Sequence, residues 1–314
     1  MTRTPHVSVL MSMKNAMPYL EQAVSSILNQ TSSDWEFVIV DNCSTDTSPA
    51  VVEAAARTES RIVFLRNERD LGHSGGLNRG LAICRGTWIA RMDADDIALP
   101  DRLDRQLAFL RENPDVATTG CLAYYIDPEG HRVGKTIPVL TTREEFRRYY
   151  DAGLPIGIMH PGAMIRRDVI LEAGGYRPEY DPANDIDLWC RISDRHLILV
   201  QPEHLIEYRV HGGSLSAASY EFGRLKHLWA RDSMIARRAL QPEPSWPAFL
   251  EARKNAPWWL RLNRWRKLHA KRFYRQSAQH HLSHRPVRSF FEMSLSAALQ
   301  PEYTLPRFRG QSLR

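Results

Sequence analysis

Apolar and polar positions along the first hundred residues follow two rhythms. Four short runs, His6 to Ser12, Trp35 to Val40, Arg61 to Arg66 and Trp88 to Met92, are rich in apolar residues. Runs of this length bounded by polar loops read as buried strands. Between them, apolar residues fall three or four positions apart. Leu20, Val24, Ile27 and Leu28 mark a helix within Pro18 to Gln30, Val51, Val52 and Ala54 to Ala56 a second, and Ser74 to Cys84 a third. Strand and helix in repeated alternation are most economically satisfied by a mostly parallel sheet with helices on both faces. The expected class is α/β.

The same reading continues down the chain. Leu103, Leu107 and Leu110 line one face of a helix that begins at Arg102 and stops at Asn113-Pro114. Val116 to Ile126 reads as a strand, Asp127 to Gly130 as a hairpin turn leading to Val133, and Arg143 to Tyr150 as a short charged helix. Asn184 or Asp185 opens a helix anchored by Leu188, Trp189 and Ile192, and Leu205 to Tyr208 is a further short strand. Beyond these, Tyr220 to Leu240 and Ser283 to Pro301 read as helices, with Gln241 to Pro244 as a linker or turn.

Candidate chemistry gathers where strands give way to loops. Lys14-Asn15, Asp41-Asn42 and Asp93-Ala94-Asp95 follow the first, second and fourth strands, and ligands of an open parallel sheet collect outside its carboxyl edge. Asp93, Asp95 and Asp96 put three carboxylates within four residues. Such charges repel unless solvated or bridged by a cation, and a hard divalent ion, Mn²⁺ or Mg²⁺, suits oxygen ligands while leaving room for phosphate. Taken alone, an Asp-x-Asp turn is more often a solvated helix cap; convergence with the other two loops favours a nucleotide pocket. An EF-hand is excluded by Ile97 and Ala98 at its fifth and sixth positions. A dinucleotide fingerprint is excluded too, because Ser12 to Ala16 holds no glycine and Gly72-His73-Ser74-Gly75-Gly76 lacks the G-x-G spacing.

Taken together, Val7-Ser8-Val9, Val38 to Asp46, Leu71-Gly72, Leu77-Asn78-Arg79-Gly80-Leu81, Arg85-Gly86 and Asp93-Ala94-Asp95-Asp96 resemble the family 2 glycosyltransferases of the GT-A fold. The resemblance extends to about residue 216. It implies a nucleotide-diphosphate sugar donor, most commonly UDP-linked, a divalent metal, Mn²⁺ or Mg²⁺, and inversion at the anomeric carbon. It also implies that Asp41 bonds the base, that Asp93 serves the ribose or sugar side with Ser12, Asn15 and Asn78 among the donor contacts, and that Asp95 holds the metal. The family's Glu-Asp-x-Asp-Leu-Trp pattern is similar to Asn184-Asp185-Ile186-Asp187-Leu188-Trp189, which makes Asp185 the base that takes the acceptor proton. Its Tyr-Arg-x-His-x-x-Ser-x-Ser pattern resembles Tyr208 to Ser216, which makes His211 a metal or diphosphate contact and Ser214 or Ser216 a phosphate contact. His160, in the turn His160-Pro161-Gly162, would lie near the acceptor. Departures are plain: no Pro or Tyr occupies Ser12 to Asn15, Asn42 replaces a common second Asp, and Asn184 replaces the usual Glu.

Composition adds a division of charge. Residues 215–314 carry 19 Lys+Arg against 6 Asp+Glu, whereas residues 1–214 carry 23 against 30. Two jobs are expected: a catalytic domain over 1–216 and a basic, aromatic-rich helical extension over 217–314. Within the extension, residues 257–275 interleave five aromatics with seven Lys/Arg. An amphipathic helix on an anionic membrane surface satisfies that pattern, as does a helix packing its aromatics on the catalytic domain; nucleic acid is the less favoured partner. No leader-like segment and no apolar run of 18 residues occurs, and Cys43, Cys84, Cys121 and Cys190 form no C-x-x-C pair, so a cytoplasmic protein, soluble or peripheral on the inner face of the membrane, is expected. The function expected is sugar transfer to a glycan or lipid-linked acceptor in surface-polysaccharide synthesis, against the alternative of a catalytically silent nucleotide-sugar-binding protein of the same fold. A nucleotidyltransferase would want a glycine-rich, lysine-bearing loop that Ser12 to Pro18 does not supply.

Overall fold

The computed structural model describes residues 4–212, 220–282, 286–301 and 304. It divides into two compact units, Met1–Glu243 and Pro244–Arg314. In the first unit, β1 (Val7–Met13), α1 (Leu20–Leu28), β2 (Trp35–Asp41), α2 (Ser48–Thr58), β3 (Ile62–Arg66), α3 (Gly72–Leu81) and β4 (Trp88–Arg91) follow the alternation read from the sequence. A two-residue strand β5 (Ile97–Ala98), α4 (Arg102–Glu112), β6 (Val116–Ile126), β7 (Arg132–Lys135), α5 (Arg143–Asp151), β8 (Met164–Arg166), α6 (Arg167–Glu172), α7 (Asn184–Ser193) and β9 (Leu197–Arg209) come next, and α8 (Tyr220–Arg238) closes the unit.

Among the described residues the sheet runs in the order β3-β2-β1-β4-β8-β6-β9-β5, with β7 paired to β6. The β1, β2, β3 and β4 strands are parallel, whereas β8 is antiparallel to both β4 and β6. The register Met13↔Asp41 brings the carboxyl ends of β1 and β2 side by side. Strand alternation sorts the core into two layers. Leu10, Val38 and Val40 face Leu77 and Leu81 of α3 and Leu188 and Trp189 of α7. Val9, Met11, Phe37 and Ile39 face Val24 and Ile27 of α1, Val52 of α2 and Leu103 of α4.

Two departures from the sequence reading have physical causes. The expected strand Leu205 to Tyr208 is the second half of a 13-residue strand, because register shifts opposite Cys121 and Leu122, around Gln201 to His204, break the alternation that would have joined the halves. The first unit also continues past the 216/217 boundary. Helix α8 stacks Trp229 on Tyr180 at 4.0 Å and bonds Ser233 to the Tyr180 hydroxyl at 2.9 Å. Arg237 and Arg238 on the same helix pair with Asp194 at 2.9 and 2.8 Å.

The second unit contains α9 (Trp246–Lys254), α10 (Trp258–Leu282) and α11 (Pro286–Leu299). Ser277 donates to the Ser289 carbonyl at 2.7 Å and Ser296 to the Ala270 carbonyl at 2.8 Å, so α10 and α11 pair antiparallel. Among the described residues no helix is long and apolar enough to cross a membrane.

Candidate active site

The acidic turn after β4 is built on two buried arginines. Arg91 is fully buried; its guanidinium donates to the Leu10 carbonyl at 3.2 Å and also reaches the Met92 carbonyl and the Asp93 carboxylate. Arg102, equally buried, donates to the Arg91 carbonyl at 2.8 Å and to Gln106 at 3.0 Å. Burying two cations is costly, and here carbonyls and a carboxylate offset the cost while fixing the path of the chain from Arg91 to Asp93.

On that corner, one carboxylate oxygen from each of Asp93, Asp95 and Asp96 lies within 4.8 Å of the others. Burial and the neighbouring Asp93 charge push the Asp95 carboxyl above the usual range, and burial with both neighbours pushes Asp96 well above it. His211 Nε2 stands 2.9 Å from Asp95 Oδ2. One oxygen of Asp96 accepts from the Arg209 backbone N–H at 2.8 Å, while the other is buried without a hydrogen-bond partner. Crowded carboxylates, with Asp95 and Asp96 pushed upward, an imidazole nitrogen beside them and an orphaned oxygen form a donor set that fits a divalent cation with hard or borderline preference.

Arg209 extends this arrangement. Its guanidinium donates to the carbonyls of Asp95, Asp127 and Pro128 and to Gln22, lies 4.5 Å from the Tyr19 ring, and Tyr19 in turn stands 5.0 Å from the His211 ring. Neither Tyr19 nor the buried Arg91 was singled out from the sequence. The available signal for Arg91 was an arginine inside an apolar strand two residues before Asp93.

At the end of β2, Asp41 is buried; one oxygen accepts from the Ser44 N–H at 3.0 Å, the other has no hydrogen-bond partner, and Arg66 Nε lies 3.5 Å away. Next to it opens a depression lined by Arg66, Asn67, Glu68, Arg69, Leu71 and Arg79. Asn42 binds the loops around it, donating to Asp70 at 2.6 Å and the Gly72 carbonyl at 3.1 Å while accepting from Asn67 and the Leu71 N–H. Ser12 is buried against Gly76, where an added Cβ would come 2.2 Å from its hydroxyl oxygen.

Other expected contacts also make bonds within the fold. Asn15 Oδ1 accepts from the Thr45 N–H at 2.7 Å and so joins two loops. Asn78 uses both ends of its amide on the Tyr176 backbone, at 2.7 and 2.9 Å. His160 is buried with Nε2 2.9 Å from the Tyr176 hydroxyl, and burial beside Arg91 drives its pKa well down, so a neutral ring is packed under the site. Asn184 is buried too, donating to Ser74 at 2.8 Å, and Ser74 donates to Asp181. Ser214 and Ser216 lie outside the described residues.

Asp185 differs from all of these. It is half-buried in the first turn of α7, with one oxygen accepting from the Ile186 N–H at 2.8 Å. Burial, with the Asp93 charge adding to it, raises its carboxyl to about 6. Asp187, two residues on, is fully buried between Arg177 at 2.6 Å and Arg191 at 2.7 Å. His73, at the start of α3, also feels the charges of Arg91, Asp93 and Asp181, and burial lowers its pKa; its sequence neighbourhood had served only to dismiss a dinucleotide site.

Comparison with known proteins decides the family. The profile described as "Glycosyl transferase family 2" matches residues 8–174. The chain belongs to that family. An uncharacterized glycosyltransferase of Methanocaldococcus jannaschii is 33% identical over 210 residues, covering 66% of this chain and 71% of the relative. The amylovoran biosynthesis glycosyltransferase AmsE of Erwinia amylovora is 29% identical over 205 residues, 64% of this chain and 75% of the relative. Among solved structures, S. aureus TarS 1-349 in complex with UDP-GlcNAc superposes with a TM-score of 0.58 at 16% identity, covering 98% of this chain and 93% of that one. A mannosyltransferase from Pyrobaculum calidifontis, solved with GDP-Man and Mn²⁺, gives 0.57 at 19% identity over 95% of this chain and 76% of that one. At such identities the likeness establishes the fold, which is the GT-A architecture with a C-terminal helical region. This family 2 glycosyltransferase is thus a transferase whose relatives work in polysaccharide biosynthesis.

Proposed function

We propose that the protein is an inverting, metal-dependent glycosyltransferase that moves a sugar from a nucleoside-diphosphate donor, UDP-linked by preference, to a hydroxyl of a glycan or lipid-linked acceptor during surface-polysaccharide synthesis. The observation that carries this reading is the pairing of a crowded carboxylate turn, Asp93-Asp95-Asp96 with His211, and a separate carboxylate, Asp185, raised to about 6 within reach of the Asp93 charge. Two acidic groups with different environments have two different tasks. A catalytically silent binding protein would have no need to hold Asp185 on a rigid helix at a pKa suited to proton transfer.

Asp95 and His211 would hold the divalent ion, with Asp93 on the ribose or sugar side. When bound, the ion supplies positive charge against the negative charge that grows on the departing diphosphate. Asp41 offers the oxygen that faces Arg66, which carries no hydrogen bond within the fold, to a donor N–H of the base, beside the depression bordered by Arg66, Arg69 and Arg79. Asp185 accepts the acceptor's hydroxyl proton as that oxygen forms its bond to the anomeric carbon and the bond from that carbon to the diphosphate breaks; one displacement inverts the centre. Asn15, Asn78, His160 and Asn184 act by position, holding loops and the starts of α3 and α7 beneath the donor and acceptor.

The similar solved structures hold UDP-GlcNAc in one case and GDP-Man with Mn²⁺ in the other, which supports a nucleotide sugar and a divalent ion here. Incubation with a panel of nucleotide sugars and Mn²⁺, reading released nucleotide with and without EDTA, tests the proposal. Release from one donor, abolished by EDTA, is expected. Binding of a nucleotide sugar without turnover in the presence of any acceptor extract would instead favour the silent binding protein.

A further inference from the structure

We propose that the α10–α11 hairpin is a docking surface for an anionic lipid bilayer, on which α10 lies in the plane of the headgroups. The proposal goes beyond the reading of the catalytic unit and stands or falls separately from it. Residues 252–291 contain eleven Lys/Arg and no Asp or Glu, in a chain where acidic residues otherwise number 36. Glu251 and Glu292 border the segment but no acidic residue falls inside it, so its net charge is strongly positive and a surface of opposite sign is the complementary partner.

Charge alone would suit any polyanion; the aromatics choose among them. Trp258, Leu262, Trp265, His269 and Phe273 recur at intervals of three or four, which places them along one side of α10. Their rings run on from one to the next, Trp265 to His269 at 4.5 Å and His269 to Phe273 at 6.4 Å. Trp258 is 70% exposed, Trp259 57%, Leu262 55% and Trp265 52%, so these side chains are not a buried seam. Arg261, Arg266 and Arg272 are exposed at helical positions that flank the same stripe. The hairpin's other helix also shows apolar groups, with Val287, Phe290 and Phe291 at 81%, 76% and 63% exposure. Large exposed indoles bordered by guanidinium groups match the boundary between headgroups and acyl chains, where an amphipathic side chain keeps one end dry and the other wet. The helix cannot cross the bilayer, so it lies on it. Interleaved along the sequence, the rings and charges separate on the helix into an apolar stripe with charged flanks, whereas a nucleic-acid groove would want rings and charges on the same face for stacking on bases.

Co-sedimentation of the full chain with vesicles tests this. Vesicles of phosphatidylcholine with a third phosphatidylglycerol should pellet the protein, pure phosphatidylcholine should not, and binding should fall steadily as salt shortens the Debye length. Arg261→Glu with Arg266→Glu should weaken binding to the anionic vesicles by about 25-fold or more, at roughly fivefold per charge removed. Trp258→Ala with Trp265→Ala should weaken it as well and abolish quenching of tryptophan fluorescence by brominated lipid at that face. Both double variants should keep the wild-type melting temperature and nucleotide release in the absence of vesicles, which separates lost docking from lost folding or lost catalysis. Equal binding to neutral and anionic vesicles, or none to either, would overturn the proposal. So would tighter binding to a single-stranded oligonucleotide than to vesicles at the same ionic strength, or a dimer in sedimentation that the tryptophan variants dissociate.

Discussion

Asp185 and Asp187 lie two residues apart on one helix and illustrate how burial assigns different work to the same side chain. Asp187 is fully enclosed by Arg177 and Arg191, and removing one partner of a buried ion pair leaves the others uncompensated. Asp187→Asn is expected to cost about 3–5 kcal/mol of stability while each folded molecule still turns over; thermal melting and activity per folded protein check this. Asp185→Asn should do the reverse, lowering turnover roughly 10²–10⁴-fold, as loss of a general base does, with donor affinity almost unchanged. The pH dependence carries its own sign. A base raised to about 6 is protonated below that pH, so turnover should climb through pH 6 and level above it. The same group is raised from 3.8 in folding, so the folded state binds more protons than the unfolded one between about 4 and 6, and stability falls as pH rises through that window. Asp185→Asn should therefore melt above wild type at pH 7 and near it at pH 4. A melting curve with the order reversed would show that burial does not strain this carboxylate. The place of Asp185 at the head of a helix was legible from the sequence; the enclosure of Asp187 was not, because neither Arg177 nor Glu243, which bonds Arg177 at 2.9 Å, is near it in the sequence pattern.

At the scale of elements, the apolar runs and helical spacings of the first hundred residues were enough to place β1 to β4 and α1 to α3, since each signal is local. What escaped was whatever depended on a partner strand. The two-residue β5 exists only through pairing with Glu207 and Ile206 of β9, and the first half of β9 was hidden by the irregular register at Gln201 to His204. Asn15, in the loop after β1, and Asn78, on α3, are expected donor contacts, and a side-chain amide carries no mark in the sequence of what else it will bond; in the fold both tie distant backbone together. The Arg85-Gly86 pair has a clearer reason. Gly86 donates to Ser8 Oγ at 2.8 Å, and a Cβ there would lie 2.4 Å from the Ser8 backbone nitrogen and 2.7 Å from the Val7 carbonyl carbon. Backbone cannot move aside as a side-chain tip can, so Gly86→Ala is expected to destabilise by about 1–3 kcal/mol or more, seen as a lowered melting temperature. Asn42→Asp makes a separate test of the loop architecture. The amide that donates to Asp70 would become a second carboxylate 2.6 Å from it, and repulsion should lower nucleotide affinity more at low salt than at high salt. Equal loss at both ionic strengths would point to altered shape rather than charge.

Over the whole molecule, the opposite charges of the first two thirds and the last third were visible in composition, but the place where the folded units divide was not. Helix α8 lies on the basic side of the composition break and belongs to the first unit through Trp229, Ser233, Arg237 and Arg238, contacts that only the folded chain brings together. The central claim concerns the carboxyl edge of the sheet, where three carboxylates gather, two of them, Asp95 and Asp96, with raised pKa values, a crowding that a bound cation would relieve while offering positive charge to a diphosphate. Calorimetric titration of nucleoside diphosphate into wild type and Asp95→Ala, each with Mn²⁺ and with EDTA, addresses that claim directly. The account predicts binding to wild type that requires Mn²⁺ and is lost in Asp95→Ala at either condition, with the variant still folded by its melting curve. Wild-type affinity that EDTA leaves unchanged, or an Asp95→Ala variant that binds as wild type does with Mn²⁺, would contradict it.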